Sequence, residues 1–162
     1  MPEAAGLIIG EFARTLDERH RLALPPELHQ ALCPDGAEDC VLAKERLGCL
    51  SLWRTDVWKQ KVESGIELIK QKLAAHRLEG DLARVQQFGR LLSTRFRDVK
   101  LGDRGRLVLP EGFRDFLAVP PGSELLVVGA AVCVELWHPD HWRRYLQQRM
   151  PKFNPLFAQL SS

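Results

Sequence analysis

The sequence lacks the motifs that indicate an enzyme, a metal protein or a membrane protein. It contains no Gly-x-Ser-x-Gly, no glycine-rich phosphate loop and no His-Glu-x-x-His, and no acid pair recurs between its halves. Its four cysteines show neither Cys-x-x-Cys spacing nor histidines at zinc-finger intervals, which disfavours zinc and redox motifs. The longest apolar stretch, Leu125 to Val134, is too short to span a membrane. We therefore expect no catalytic residues, cofactor, metal ion, small-molecule substrate or membrane partner.

Other absences bear on location and charge. No positively charged start followed by an apolar run opens the chain, so we expect a cytoplasmic protein with reduced thiols. The net charge of +2 is too small to indicate a partner. Its distribution says more, because residues 14–21 carry three arginines against two acids, and residues 95–106 carry four arginines and one lysine against two acids. Such local basic excess is what a phosphate-binding surface requires.

What the sequence does contain is a duplication. Residues 16–25 and 101–110 share the pattern Leu-x-x-Arg-x-Arg-Leu-x-Leu-Pro, and residues 49–58 and 133–142 share Cys-x-x-Leu-Trp-x-x-Asp-x-Trp, which holds all four tryptophans. Two patterns in the same order at nearly the same spacing indicate a repeated unit. Because each half of about 80 residues could bury only a modest core, we expect two intertwined halves that share one core.

The division of the chain follows from this repeat. We predict a first repeat over residues 1–92 with a long helical insert, and a second over residues 93–162 with a C-terminal helix and a loosely held tail after Met150. Apolar patterning and turn residues predict these strands: Glu11–Leu16, Arg21–Leu24, Cys40–Lys44, Gly48–Trp53, Phe96–Leu101, Arg106–Leu109, Leu125–Val128 and Val132–Trp137. The first two of these strands are expected to be joined by a four-residue turn. Leu22 and Leu24 should share the buried face of their strand.

Helices are predicted between these strands. A short helix should open at Pro25-Pro26 and end near Leu32, and another should begin at Pro110. The insert should be helical from Asp56 to about Leu92 with a break at Gly80-Asp81, and Thr55 or Asp56 is expected to cap it. A final helix should start at Pro139 or Asp140.

The repeated Arg-x-Arg turns are the main candidate site. Two such turns, brought together by pseudo-symmetry, would form a surface of four arginines: Arg19, Arg21, Arg104 and Arg106. Planar guanidinium groups bind phosphate and the edge of guanine through two hydrogen bonds. The alternative is that these arginines only form ion pairs with the acids of the turns: Asp17, Glu18 and Asp103.

Other conspicuous residues are better explained by packing. Trp53 and Trp137 end predicted buried strands, so we expect core packing rather than base stacking. Cys49 and Cys133 hold equivalent strand positions and should be small buried apolar side chains. The group formed by residues 138–141, with two histidines and an aspartate, fits a helix cap and surface better than a metal site.

Taken in order, several segments resemble the MraZ family of bacterial regulators. The resemblance covers about residues 8–147 and rests on these segments: Ile9-Gly10-Glu11-Phe12, residues 16–22, Cys49-Leu50-Ser51-Leu52-Trp53 with Trp58, residues 105–110, Val128-Gly129, Val134-Glu135-Leu136-Trp137 and Trp142. Each short motif alone is weak, but their order makes the match fairly specific.

The resemblance implies a fold, an assembly and a function. MraZ proteins are built from two tandem AbrB-like units, which implies an α+β, internally duplicated, swapped-hairpin β-barrel with flanking helices. Family members form rings that contact short DNA repeats upstream of their own operon, which implies a sequence-specific transcriptional regulator, expected to be a repressor associated with the nucleoid. Asp17, Arg21 and Arg106 match the family's motif positions. The expected contacts to double-stranded DNA are Arg14, Arg19, Arg21, Lys100, Arg104 and Arg106. The alternative is an AbrB-type scaffold that binds proteins and has lost or changed its DNA target.

The sequence also departs from the family pattern. Gly102 stands where the second motif has an aspartate, so we expect the second turn to be shaped differently. His20 replaces a glycine, which should disfavour a left-handed conformation there. His29 replaces an arginine, although its repeat mate Arg114 is kept, and residues 94–96 fill a stretch that is small and apolar in the family.

Overall fold

A computed structural model describes residues 6–162. Its strands are β1 (Glu11–Thr15), β2 (Arg21–Ala23), β3 (Asp39–Arg46), β4 (Cys49–Arg54), β5 (Phe96–Lys100), β6 (Arg106–Val108), β7 (Glu124–Gly129) and β8 (Val134–Trp137). Its α-helices are α1 (Pro26–Leu32), α2 (Thr55–Ala74), α3 (Leu82–Arg95), α4 (Glu111–Leu117), α5 (Pro139–Arg149) and α6 (Phe153–Ser161). All eight predicted strands are present, within one or two residues of their expected ends. The short helices predicted at Pro25-Pro26 and at Pro110 are also present, as α1 and α4.

The two halves of the chain share one antiparallel sheet. Six strands lie in the order β1-β7-β8-β4-β3-β5, and β2 pairs with β6 in a separate two-stranded ribbon. The first half's β1 therefore pairs with the second half's β7, and β5 of the second half pairs with β3 of the first. Helices and an antiparallel sheet make this an α+β fold, in which each half completes the other.

One expectation about this sheet is wrong. The described residues form no closed barrel, because β1 and β5 each pair on one side only and remain as edges. The four-residue turn predicted between the first two strands is present, from Asp17 to His20. The two strands do not pair with each other across it, because β1 pairs with β7 and β2 pairs with β6.

Leucines from both repeats form the main core. Leu22 and Leu107 lie opposite each other in the ribbon and both are buried, and Leu24 is buried on the same face as Leu22, as predicted. At 25 cal/mol per Å², burying one such side chain contributes about 1.5–3 kcal/mol. Other fully buried leucines come from both halves: Leu16, Leu28, Leu32, Leu42, Leu50, Leu52, Leu101, Leu109, Leu117 and Leu125. The core is thus shared, as the small size of each half requires.

Tryptophans occupy the other face of the sheet, where α2 and α5 pack. Trp53 and Trp137 are only 6% and 3% exposed, which confirms the predicted packing role. Each indole Nε1 also donates a hydrogen bond, from Trp53 to Ser51 Oγ at 2.8 Å and from Trp137 to Glu135 Oε1 at 2.9 Å. Cys49 and Cys133 are buried, again as predicted.

The helices depart from expectation at their ends. The insert breaks between α2 and α3 around a 3-10 turn at Glu79–Asp81, as predicted, but neither Thr55 nor Asp56 caps α2. The helix begins at Thr55, and the Asp56 carboxylate accepts the amide of the next residue, Val57, at 2.8 Å. In α5, His138 Nδ1 accepts the Asp140 amide at 3.0 Å, so this group caps a helix as expected.

The C-terminal segment, expected to be a loosely held tail, is helical. A 3-10 turn at Met150–Lys152 leads into α6, and Pro151 and Pro155 fall in first turns, where a missing amide proton costs nothing. Every residue of α6 is exposed. No helix within residues 6–162 is long and apolar enough to cross a membrane.

Candidate nucleic-acid interface

The β2–β6 ribbon brings the two motif arginines together. Arg21 pairs with Val108, and Ala23 pairs with Arg106, so the two arginines lie diagonally on one face of the ribbon. Side chains alternate along a strand, and the opposite face is the buried one that carries Leu22. Arg21 and Arg106 line one shallow surface groove, together with Thr15, Asp17, Leu22 and Ala23. The pairing expected from the repeat is therefore present for these two arginines.

Backbone hydrogen bonds give the two turns the same frame. The Asp17 amide donates to the Arg21 carbonyl at 2.9 Å, and the Gly102 amide donates to the Arg106 carbonyl at 2.8 Å. A second hydrogen bond closes each turn. The His20 amide donates to the Asp17 carbonyl, and the Gly105 amide donates to the Gly102 carbonyl. The substitution of Gly102 for aspartate therefore leaves these backbone bonds in place.

Each turn also accepts a backbone hydrogen bond from the residue that follows the short strand of the other half. The Leu109 amide donates to the His20 carbonyl at 2.9 Å, and the Leu24 amide donates to the Gly105 carbonyl at 3.0 Å. These bonds cross between the repeats on both sides of the ribbon. The relative position of Arg21 and Arg106 is thus fixed by main-chain contacts between the two halves.

His20 adopts the left-handed conformation that we expected it to disfavour. Its φ is 59°, close to the 73° of Gly105 at the equivalent position of the second turn. A side chain in this region costs about 1–3 kcal/mol, which the surrounding hydrogen bonds must offset. The second turn differs in one respect, because Arg104 is also left-handed, with φ of 61°.

Asp17 holds the first turn with its side chain. Oδ1 accepts the amides of Arg19 and Arg21, both at 2.8 Å, and Oδ2 lies 2.9 Å from Arg21 Nε. The Arg21 amide is the main cause that lowers the pKa of Asp17, and the Arg21 guanidinium and Arg19 amide add to it. The ion pair uses Nε, so it leaves the two terminal amino groups of Arg21 for a ligand.

These contacts from the Asp17 carboxylate are called here the side-chain lock of the first turn, and the second turn has no equivalent. Gly102 has no side chain, so nothing at that position can accept from Arg106, which is exposed. Within residues 6–162, Arg106 forms no ion pair with an acid. The two arginines thus differ: Arg21 is held by its own turn, and Arg106 is free to reorient.

The remaining predicted basic residues are placed less favourably. Arg19 and Arg104 are exposed on the turns beside the groove. Arg14 is half-buried on β1, where its guanidinium lies 5.7 Å from the Phe12 ring centroid and donates to the Ala13 carbonyl. Lys100 is exposed on β5 with Nζ 3.8 Å from Asp39 Oδ1. The structure therefore does not place Arg14 or Lys100 in the lining of the groove.

One supporting residue was noted in the sequence only as a departure. The imidazole of His29 on α1 packs so close to Gly105 that a Cβ at Gly105 would lie 2.9 Å from His29 Cγ. Its repeat mate Arg114 instead donates from Nε to the Leu109 carbonyl at 2.8 Å. Both residues support the ribbon from the helix that follows it. Their equivalent positions in the repeat were the signal that could have identified this role.

Comparisons with known proteins agree with the resemblance. The family model described as "MraZ protein, putative antitoxin-like" matches residues 94–160. The protein "Transcriptional regulator MraZ" of Heliobacterium modesticaldum is 24% identical over 95% of this chain and 96% of its own length. The proteins of the same name from Roseiflexus castenholzii and a Nocardioides species are 28% and 26% identical, over 94% and 93% of this chain and 95% and 94% of theirs.

One solved structure also overlaps with the chain. "The solution structure of PHS018 from pyrococcus horikoshii" covers 82% of this chain and 90% of its own at 11% identity, with a TM-score of 0.30. So low a TM-score does not establish a common fold. The sequence relatives span nearly the whole chain, and the family model matches most of its second half. The chain is therefore similar to MraZ proteins over nearly its whole length.

Proposed function

We propose that this protein is a sequence-specific DNA-binding regulator of transcription, acting as a repressor, and that the β2–β6 ribbon is its DNA-binding surface. The relatives' names support a role in transcription rather than catalysis. The observation that carries the proposal is the diagonal placement of Arg21 and Arg106 on the exposed face of one ribbon. Arg19 and Arg104 extend the same basic surface on its two turns.

The ribbon has the size and chemistry for this task. The major groove of B-DNA admits a two-stranded β-ribbon, and arginine reads guanine there through O6 and N7. We propose that Asp17 holds the Arg21 side chain in its DNA-binding orientation before DNA arrives. The Arg106 side chain would adopt its orientation only when DNA binds. Arg14 and Lys100 lie outside the groove lining, and we retain them only as contacts to the phosphate backbone.

A single ribbon offers few contacts, so we propose that copies of the chain assemble into a ring. Effective concentration would then raise the affinity for repeated DNA sites. Apolar side chains exposed on the helices support self-association, because monomers seldom expose such surfaces. They include Leu68 (53%) and Leu91 (58%) on the α2–α3 pair, and Phe157 (62%) and Leu160 (79%) on α6.

Other features belong to the same proposal. The division into AbrB-like repeats over residues 1–92 and 93–162 agrees with the exchange of β1 and β5 between the halves. As a DNA-binding regulator, the protein would act in the cytoplasm at the nucleoid.

A gel-shift with the DNA upstream of the protein's own gene tests the proposal. We expect binding by the wild type, a loss for Arg106→Ala and Arg21→Ala, and no change for Lys70→Ala, an exposed lysine on α2. Each phosphate contact should contribute a slope of about −0.9 to log K against log salt, so each arginine variant should flatten the slope by about one contact.

The opposite results are equally informative. Binding that is unchanged in both arginine variants, or insensitive to salt between roughly 50 and 200 mM, would reject the ribbon as the DNA surface. If the wild type binds none of this DNA, the protein-binding scaffold becomes the better explanation. Light scattering tests the ring separately, since a clean mass of 18.4 kDa would contradict it and Phe157→Glu should lower the mass where the neighbouring Gln159→Glu does not.

A further inference from the structure

We propose that Cys33 and Cys40 form a redox-sensitive dithiol, which a hydroperoxide oxidises to an intramolecular disulfide. Their Sγ atoms lie 3.9 Å apart and share a hydrogen bond. Both side chains are buried, one at the C-terminal end of α1 and the other in β3. Their sequence separation matches no redox motif, which is why spacing alone did not reveal the pair. The fold brings them together.

The sulfurs are close enough for chemistry. A disulfide needs an S–S distance of about 2.05 Å, so closure requires the two thiols to approach by about 2 Å. Cys33 is the residue that follows α1, and a two-residue turn begins directly after it, so its side chain belongs to a connection rather than to the sheet. Cys40 is held on both sides, opposite Arg54 of β4 and Val99 of β5. Movement is therefore expected on the Cys33 side.

The surroundings assign different roles to the two sulfurs. The hydrogen bond from the Cys40 thiol holds the pKa of Cys33 below its usual value, and the positive charge of Arg54 adds to this effect. The same hydrogen bond and burial raise the pKa of Cys40. The thiolate is the nucleophilic form, so Cys33 should react first and Cys40 should resolve the product.

Cys33 also lies on the accessible side of the pair. It is 4% exposed, against 1% for Cys40. Its chain neighbours Leu32 and Pro34 line an open surface groove together with Arg54. Neither cysteine lines this groove, but both chain neighbours of Cys33 do, so the proposed approach of hydrogen peroxide to Cys33 is from this side.

The reaction balances in two steps. The Cys33 thiolate attacks one oxygen of hydrogen peroxide, so an S–O bond forms, the O–O bond breaks, and the hydroxide that leaves takes up the proton lost by Cys33. Cys40 Sγ then attacks Cys33 Sγ and displaces the sulfenic hydroxyl, which leaves as water with the Cys40 proton. The two thiols lose two electrons in total, and peroxide is reduced to two waters.

The experiment treats the native full chain with hydrogen peroxide, alkylates the remaining thiols after unfolding, and maps them by mass spectrometry. Trypsin leaves both cysteines on one peptide, residues 22–44, whereas Cys49 and Cys133 fall on two others. We expect the 22–44 peptide alone to lose two hydrogens and to resist alkylation until it is reduced. Circular dichroism should show that the chain stays folded throughout.

Three variants assign the roles. In Cys40→Ser, dimedone should trap a sulfenic acid on Cys33, and in Cys33→Ser it should label Cys40 far more slowly. Cys49→Ser, the matched buried control, should keep the wild-type reaction. Retention of both free thiols on the 22–44 peptide of the folded wild type would overturn the proposal, as would oxidation of all three cysteine peptides at one rate.

Discussion

His20 and Gly105 hold equivalent places in the two turns, and the carbonyl of each accepts the amide of the leucine that follows the other repeat's short strand. Both residues are left-handed, with φ of 59° and 73°. The turn that presents each arginine is thereby tied to the opposite half of the chain. Glycine suits this conformation, and histidine has to be held in it.

The first prediction concerns this pair of turn residues. His20→Gly should stabilise the protein by about 1 kcal/mol, since it removes backbone strain and an imidazole Nδ1 that is buried without a hydrogen-bond partner. Gly105→Ala should destabilise it by more than about 1 kcal/mol, because a Cβ there is strained and meets His29.

Gly36→Ala is the matched control for the second variant. Gly36 is also left-handed, at φ of 77°, but a Cβ there meets nothing within 4 Å. Its cost, measured by urea denaturation, should be smaller than that of Gly105→Ala. Equal costs for the two alanine variants would show that the His29 contact does not matter.

The second prediction concerns the side-chain lock that only one turn has. Asp17→Ala should lower the melting temperature more than Asp17→Asn, because asparagine keeps an oxygen for the amides of Arg19 and Arg21 and loses only the ion pair. Since the pKa of Asp17 is lowered in the folded protein, its contribution is present above the unfolded value of about 3.9 and is lost as the pH falls through the folded value.

The converse change supplies the missing acid. Gly102 has an ordinary backbone conformation, with φ of −82°, and a Cβ there would lie 3.7 Å from the Arg106 Cβ, so aspartate fits. Gly102→Asp should raise the melting temperature without abolishing DNA binding, because an ion pair through Nε, as in Arg21, leaves the terminal amino groups of Arg106 for DNA. Gly102→Ala separates the backbone effect from the charge. An aspartate variant that behaves like the alanine variant would argue against the lock.

The third prediction separates stability from binding. Trp137→Ala should cost about 3–5 kcal/mol of unfolding free energy, because the ring is 3% exposed and lies about 5 Å, between centroids, from Trp142 and Tyr145. Any loss of DNA binding should follow from unfolding alone. Gln147→Ala, at an exposed position of α5, is the control. A stable Trp137→Ala variant that fails to bind DNA would instead indicate an aromatic recognition surface.

The fourth prediction concerns the carboxyl beside Trp137. Burial raises the pKa of Glu135, and the nearby Glu45 carboxylate adds to this, although the Trp137 indole opposes it. Ionised Glu135 therefore costs stability above its folded pKa, and this cost disappears as the pH falls toward the unfolded value of about 4.3. Glu135→Gln should be more stable than the wild type at pH 7, and the gain should shrink in acid.

Denaturation curves at several pH values test this. Glu63→Gln, an exposed change on α2, provides the comparison at each pH. A gain for Glu135→Gln that does not vary with pH would contradict the assignment to charge burial.

Much of the fold followed from local sequence signals. The recurrence of residues 16–25 at 101–110 predicted the duplication, and alternation predicted that Leu22 would be buried while its neighbour Ala23 is exposed. The strands, the helices after each proline and the packing of Trp53 and Trp137 could all be predicted because they depend on periodicity and side-chain type. Of the candidate site, the repeat pointed to the four turn arginines, and the resemblance singled out Arg21 and Arg106 among them.

Only the tertiary structure decided which strands pair and which side chains meet. No local pattern distinguishes a β1–β2 hairpin from the observed pairing of β1 with β7 and β2 with β6, since antiparallel edges accept any strand of suitable register. Likewise, the left-handed turn at His20 is held by the Leu109 amide of the other half, and Cys33 meets Cys40 only where the end of α1 packs against β3. The sequence by itself determined the elements and their inner faces, because these reflect short-range sterics and burial. The exchange between halves needed the whole core, because only shared packing makes it more stable than each half alone.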